Sequence, residues 1–290
     1  MLNYLKAMRP HQWAKNLLIF SPWFFAQKWS DKTALLRCLV GFIVFSLLAS
    51  GVYLLNDIKD LKYDKTHPEK KSRPLASGSI NKKTSTYLAL LLISFSLSVT
   101  YFLGVKSFYI EILYLILNLA YSLKLKQIPY LDLLLLSTFY LIRVYYGSGI
   151  ATIKVSHTFF LFILFIFYSL ASAKRYSELA VTKEDKISNR GYKKKSLTVL
   201  KLSGLFSGYT SVALFIFYLF NPATYRLYPH KLIFDLISPI LLFWMTNIWK
   251  DTLSGKLHSD PVIHAISDKK SLLTLILILS MLTYSSGLLL

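Results

Sequence analysis

The sequence predicts an all-α, polytopic membrane protein of about nine transmembrane helices, and three observations carry that prediction. Of its 290 residues, 54% are hydrophobic and 17% charged, and the mean hydropathy of +0.46 lies outside the soluble globular range. Apolar runs of about 17–25 residues, the length a helix needs to cross the hydrocarbon core, recur along the whole chain, which argues against a signal peptide or a single anchor. Basic residues are also segregated: 26 of the 34 Lys and Arg fall in the N-terminal segment and the loops around 59–83, 124–126, 174–201 and 250–270. By the positive-inside rule the N-terminus and these loops are cytoplasmic and the C-terminus is outside, in the cell (inner) membrane.

In chain order the expected spans are 15–29, 35–57, 84–104, 108–123, 131–151, 157–178, 198–219, 232–250 and 271–289, forming one domain over 1–290. The lone Cys38 lies in an apolar run and reads as a small buried hydrophobe, so neither a disulfide framework nor a cysteine metal site is expected. A net charge of +20 exceeds what topology alone requires and points to anionic lipid headgroups or an anionic substrate. Nucleic acid is not an expected partner, because the basic residues sit in short loops and form no recognition module. The bilayer is a partner by composition; the sequence fixes no oligomeric state and leaves a homo-oligomer open.

The informative stretch is Asn56-Asp57-Ile58-Lys59-Asp60-Leu61-Lys62-Tyr63-Asp64, where the second span runs into its loop, in a chain with 14 acidic residues. If the helix continues, Asn56, Asp60 and Asp64 recur at i, i+4 and i+8, on one face with about 6 Å of rise between neighbours. Oxygen side chains grouped in this way suit Mg²⁺, which keeps several waters and completes its shell with phosphate oxygens. An ordinary helix end with surface ion pairs to Lys59, Lys62 and Lys65 is the plainer alternative. Clustering carboxylates at a membrane boundary is costly, however, and favours a functional site. Asp57 points about 100° away from Asn56 and is expected to contact a sugar hydroxyl, orient a cation, or join the metal through a local distortion.

Cations follow at once in His67-Pro68-Glu69-Lys70-Lys71-Ser72-Arg73-Pro74-Leu75-Ala76-Ser77-Gly78. Arg73 can grip phosphate through its planar fork, while Lys71 offers a mobile point charge. Arg143 falls inside the fifth span and should face the bundle interior, with Asp132 and Glu178 as candidate partners and either a structural or a substrate role. Asp260 and Asp268, before the last span, are on the motif's side; Asp268 could equally cap a helix.

With these residues in place, the chain resembles the UbiA superfamily of intramembrane prenyltransferases, whose first motif is Asn-Asp-x-x-Asp-x-x-x-Asp after the second of nine helices. Further segments narrow the resemblance: Arg9-Pro10-His11-Gln12-Trp13-Ala14-Lys15-Asn16, Arg73-Pro74-Leu75-Ala76-Ser77-Gly78, Tyr121-Ser122-Leu123-Lys124-Leu125-Lys126 and Lys174-Arg175-Tyr176-Ser177-Glu178-Leu179. Together they are most similar to the polyprenyl-phosphate phosphoribosyltransferase branch. Members that ionise a prenyl diphosphate usually carry a second Asp-x-x-x-Asp after the sixth helix, where this chain has Lys-Arg-Tyr-Ser-Glu-Leu.

The resemblance implies a UbiA-like bundle with a cytoplasmic-side active site that moves 5-phosphoribose from phosphoribosyl pyrophosphate to a polyprenyl phosphate, releasing pyrophosphate. It implies Mg²⁺ on Asn56, Asp60 and Asp64, with Asp57, Asp60 and Asp64 serving the chemistry. It implies substrate contacts from Lys15, Lys71, Arg73, Tyr121, Lys124, Lys126, Arg143, Lys174, Arg175, Glu178 and Asp260, and a product that could feed cell-envelope glycans. The alternatives are prenyl transfer from a prenyl diphosphate to an aromatic or glycerol-phosphate acceptor, and anionic-solute transport. Transport would predict paired repeats with broken helices, which the sequence does not suggest.

Overall fold

A computed structural model describes residues 2–66, 70–182, 185, 190–257 and 268–287; Asp260 and the expected loop residue His67 lie outside them. Twelve α-helices and no β-strand occur among the described residues: α1 (Leu2–Ala7), α2 (Ser21–Phe25), α3 (Lys32–Thr66), α4 (Lys82–Leu103), α5 (Val105–Leu123), α6 (Leu131–Ala151), α7 (His157–Val181), α8 (Ser196–Leu219), α9 (Pro222–Leu227), α10 (Lys231–Asp235), α11 (Ile237–Leu253) and α12 (Lys269–Ser285). Within those residues, six stretches are long and apolar enough to cross a membrane: α3, α4, α6, α7, α8 and Lys231–Leu253.

The first expected span is irregular. Residues 15–29 fall partly in a 3-10 helix, Pro10–Phe20, and partly in the five-residue α2. Pro10 and Pro22 each open a new helix, and Gln27 leaves helical geometry at φ 53°. The eleven 3-10 residues and the five of α2 follow one another directly, and together they rise about 30 Å, comparable to the hydrocarbon thickness. The other eight expected runs coincide with helices, the eighth broken at Leu236 between α10 and α11.

The described residues form two compact units, Met1–Leu123 with Ile142–Lys154, and Lys124–Leu141 with Val155–Leu290. In the first, α3 is the axis. At about 1.5 Å per residue its 35 residues run to about 52 Å, well past a hydrocarbon core of about 30 Å, so its final turns carry the acidic motif out of the apolar zone. Glycines set its packing distances, since a Cβ on Gly51 would lie 2.8 Å from Ile93 of α4 and one on Gly41 2.5 Å from Ile150 of α6. Its motif-bearing end is clamped by a cluster of Ala7, Leu54, Leu75, Ile80, Ala89 and Leu92. Ser50 Oγ adds a polar anchor, accepting from Trp13 Nε1 at 3.1 Å and lying 2.9 Å from the Met8 carbonyl.

In the second unit α7 and α8 pack along small residues. Ser169 Oγ donates to the Gly204 carbonyl at 2.7 Å and accepts from Trp249 Nε1 of α11 at 2.9 Å. A Cβ on Gly204 would sit 2.2 Å from the Trp249 ring and 2.7 Å from Ser172 Cβ. Gly204→Val should therefore lower stability by about 1–3 kcal/mol, read as a lower thermal unfolding temperature in detergent; an unchanged temperature would refute this packing.

Candidate functional site

The acidic motif remains helical through Thr66. Asp57 and Asp64 are buried, and Asn56 and Asp60 are half-buried beside them. Seven residues make two turns less about 20°, so Asp57 stands next to Asp64 on the helix surface, while its separation of about 100° is from Asn56. All four oxygen-bearing side chains thus share an arc of about 100°.

Two arginines neutralise the pair. Arg73 Nη1 lies 2.7 Å from Asp64 Oδ2 and 3.1 Å from Asp57 Oδ1, and Arg9 Nη2 reaches the same Asp57 oxygen at 2.5 Å. Arg73 is placed by its turn, in which the Ser77 and Ile80 amides bond back to the Arg73 and Pro74 carbonyls and Gly78 supplies φ 77°. Arg9 has a left-handed backbone, φ 55° and ψ 57°, and its guanidinium lies 5.2 Å from the Tyr53 ring, one turn before Asp57.

A metal ion is implied by the resemblance, and the donor set fits one. The arc is all oxygen, and a guanidinium nitrogen already occupies the point where Asp57 and Asp64 converge, as a monovalent stand-in for a cation. Among the described residues no three His, Cys, Asp or Glu side chains converge tightly enough to cage a metal unaided. Mg²⁺ needs no such cage, because one or two carboxylates with water and phosphate oxygens satisfy it.

Arg143 is corrected in its partners. Its Nε donates to Asn16 Oδ1 at 2.7 Å and its Nη2 lies 3.4 Å from the Tyr114 hydroxyl, with the guanidinium over the Phe45 and Tyr114 rings. Asp132 is eleven residues away on the same helix, about 16 Å of rise, and has other partners. Asn16 is held by its own donation to Ser46 Oγ at 2.8 Å.

In the second unit Asp132 gathers three donors. Arg175 Nε approaches its Oδ2 at 2.8 Å and Arg190 Nη1 at 3.2 Å, while the Tyr192 hydroxyl donates to Oδ1 and accepts from the Tyr130 amide at 2.8 Å. Glu178 takes the other end of Arg175 at 2.5 Å. Burial and the adjacent carboxylate push the Tyr192 phenol well above its ordinary range, so it remains a proton donor. Gly191 is required between these anchors, since a Cβ there would meet the Gln127 carbonyl at 2.4 Å.

Of the expected substrate contacts, Arg73 joins the acidic pair, and Arg175 and Glu178 form one ion pair. Lys71 and Lys124 are exposed, Lys15, Tyr121 and Lys174 half-buried and Lys126 buried. Asp268 caps α12 through the Ser271 amide at 2.8 Å. In the sequence Arg9 and Asn16 stand out only as parts of a resemblance segment, and nothing there singles out Arg190 or Tyr192. A basic residue before Pro10 and a Gly-Tyr step in a basic loop were the available signals, and neither distinguishes a buried ion-pair partner from a solvated loop residue.

Comparison with known proteins agrees with this architecture. The UbiA prenyltransferase family matches residues 17–260. The uncharacterized protein y4nM of Sinorhizobium fredii is 31% identical over 93% of this chain and 53% of its own length. The decaprenyl-phosphate phosphoribosyltransferase of Mycolicibacterium smegmatis is 36% identical over 60% of this chain and 56% of its own. The chain therefore spans just over half the length of each of these relatives. A UbiA homolog from Archaeoglobus fulgidus, solved with GPP and Mg²⁺, shares the fold with a TM-score of 0.74 at 17% identity, covering 98% of both chains.

The Asp132 centre yields an ordering that can be measured. Asp132→Leu leaves Arg175 and Arg190 short of a carboxylate and should cost about 3–5 kcal/mol. Tyr192→Phe removes one hydrogen bond to a charged acceptor and should cost about 1.5–3 kcal/mol. Thermal unfolding of both variants in detergent tests this; equal losses would refute the convergence on Asp132.

Proposed function

The chain belongs to the UbiA prenyltransferase family, and within it we propose that this protein transfers 5-phosphoribose from phosphoribosyl pyrophosphate to a polyprenyl phosphate, releasing pyrophosphate. One observation carries the choice of donor. At the end of α7, where members that ionise a prenyl diphosphate carry a second pair of aspartates, this chain has Lys174-Arg175-Tyr176-Ser177-Glu178, with Arg175 buried between Asp132 and Glu178. Guanidinium groups neutralise the carboxylates there, which favours bare phosphate over a second metal. The 36% identity, over 60% of this chain, to a decaprenyl-phosphate phosphoribosyltransferase supports the same transferred group and a polyprenyl-phosphate acceptor.

Mg²⁺ held by Asn56, Asp60 and Asp64, with Asp57 beside them, would supply positive charge against the departing pyrophosphate. Arg73 and Lys71 grip phosphate oxygens, the first through its fork and the second as a mobile charge, and Lys15 adds to the cationic N-terminal segment. Tyr121, Lys124, Lys126, Lys174, Arg175 and Glu178 serve the phosphorylated substrates, and Asp260 the ribose or pyrophosphate. Arg143 is held by Asn16 and Tyr114, an arrangement compatible with either of the two roles left open by sequence. The acceptor phosphate is an anionic nucleophile at neutral pH, so the reaction needs no strong general base. The acidic motif and the basic loops lie on the cytoplasmic side of the inner membrane.

The test is pyrophosphate release by purified protein given phosphoribosyl pyrophosphate, polyprenyl phosphate and Mg²⁺. Turnover should require all three and fall about 10²-fold or more in Asp60→Asn, the scale of losing one positioned electrostatic group. Consumption of a prenyl diphosphate with an aromatic acceptor, and none of phosphoribosyl pyrophosphate, would replace this reading with prenyl transfer. Metal-independent binding without turnover would indicate transport.

A further inference from the structure

We propose that Arg9 is a diphosphate-binding residue that acts by exchange. With the metal absent, Arg9 and Arg73 are counterions of Asp57 and Asp64; when a divalent cation takes the carboxylates, the displaced guanidinium groups turn to the phosphate oxygens of the substrate. The inference rests on reading the motif as a metal-diphosphate site and is independent of which diphosphate is used.

The geometry has the two properties that exchange requires. First, the carboxylates cannot be left bare: the Asp57 and Asp64 side chains are 5% and 3% exposed, and removing a partner from a buried charge costs several kcal/mol. The arginines can leave only if another cation arrives. Second, the arginines can leave. Their side chains are 23% and 29% exposed, an order of magnitude wetter than Arg175 at 2%. Arg73 Nη1 stands between the two carboxylates, where a divalent ion would repel it. The freed forks would then seek an anion of matching geometry, and two phosphate groups joined by a bridging oxygen present one.

Arg9 shows an independent sign of constraint. A residue with a side chain in the left-handed region is strained, and such strain concentrates at ligand clamps. The same segment is tied to α3 through the contact of Ser50 Oγ with the Met8 carbonyl and through the burial of Ala7. The backbone of Arg9 is thus fixed at the motif while its guanidinium stays free to redirect.

Exchange makes a prediction of opposite signs that a purely structural arginine would not satisfy. In Arg9→Gln one competitor for the carboxylates is gone, so Mn²⁺, followed by the EPR signal of the free ion without substrate, should bind about tenfold tighter. Inorganic pyrophosphate, titrated calorimetrically at saturating Mg²⁺, should bind about tenfold more weakly, the scale of one charge-assisted contact. Mn²⁺ binding that is unchanged or weaker, unchanged pyrophosphate affinity, or a wild-type protein that binds no Mn²⁺ would each overturn the proposal. If Arg9→Gln does not fold, Arg9→Lys should show the same two signs at smaller size, and its failure to do so counts equally against exchange. Because the probes are a bare metal and inorganic pyrophosphate, the result does not depend on whether phosphoribose or a prenyl group is transferred.

Discussion

A carboxylate buried at the end of a membrane helix must take its counterion with it, and the first unit is arranged around that requirement. Asp57 and Asp64 lie on α3 as its final turns leave the apolar zone, too buried for water to solvate them. Coulomb attraction is strong in such surroundings, and so is the penalty for leaving either charge unpaired. The N-terminal segment and the turn after Thr66 are consequently drawn onto α3 from opposite directions along the chain, one delivering Arg9 and the other Arg73. The apolar cluster of Ala7, Leu54, Leu75 and Ile80 fixes the two backbones that carry these charges.

The second unit meets the same constraint with different parts. Asp132, at the start of α6, receives Arg175 from α7 and Arg190 and Tyr192 from the following loop, so one buried carboxylate fixes three donors. The hydrophobic effect contributes little to choosing among packings in lipid, where the surroundings are as apolar as the side chains. Small residues such as Gly204, Ser169 and Gly208, which admit a ring or a hydroxyl, do that work.

Most of the helices were legible in the sequence because crossing a bilayer imposes a length and an apolar composition that no local preference can mimic. Where that criterion ended, so did legibility. The helix of the second span continues to Thr66, nine residues past the expected boundary, because hydropathy registers the polar turns as loop while the ion pairs to Arg9 and Arg73 keep them helical. Residues 15–29 read as one uniform span, yet the helix there is 3-10 up to Phe20, α from Ser21, and ends before a left-handed Gln27. The candidate site was legible as a list of oxygen donors and cations, and less so as a geometry. Measuring Asp57 from Asn56 placed it off the motif, whereas measuring it from Asp64 places it on the same face. Long-range partners such as Arg9 with Asp57, or Asn16 with Arg143, depend on how segments 48 and 127 residues apart are folded together, which periodicity does not encode.

Exposure then sorts the basic residues by what they can do. Arg175 is sealed between two carboxylates, while Arg9, Arg73 and Arg190 keep about a quarter of their side chains in the open. Among the lysines expected at the site, Lys71 and Lys124 are exposed, Lys15 and Lys174 half-buried and Lys126 buried. A guanidinium can bind a carboxylate with one edge while another faces an aromatic ring or a second acceptor, and it is less strongly hydrated than an ammonium. At a membrane boundary that difference decides the choice: arginine can bridge two buried acids and still present a fork to phosphate, whereas the compact ammonium of a lysine offers no planar fork and loses more hydration on burial.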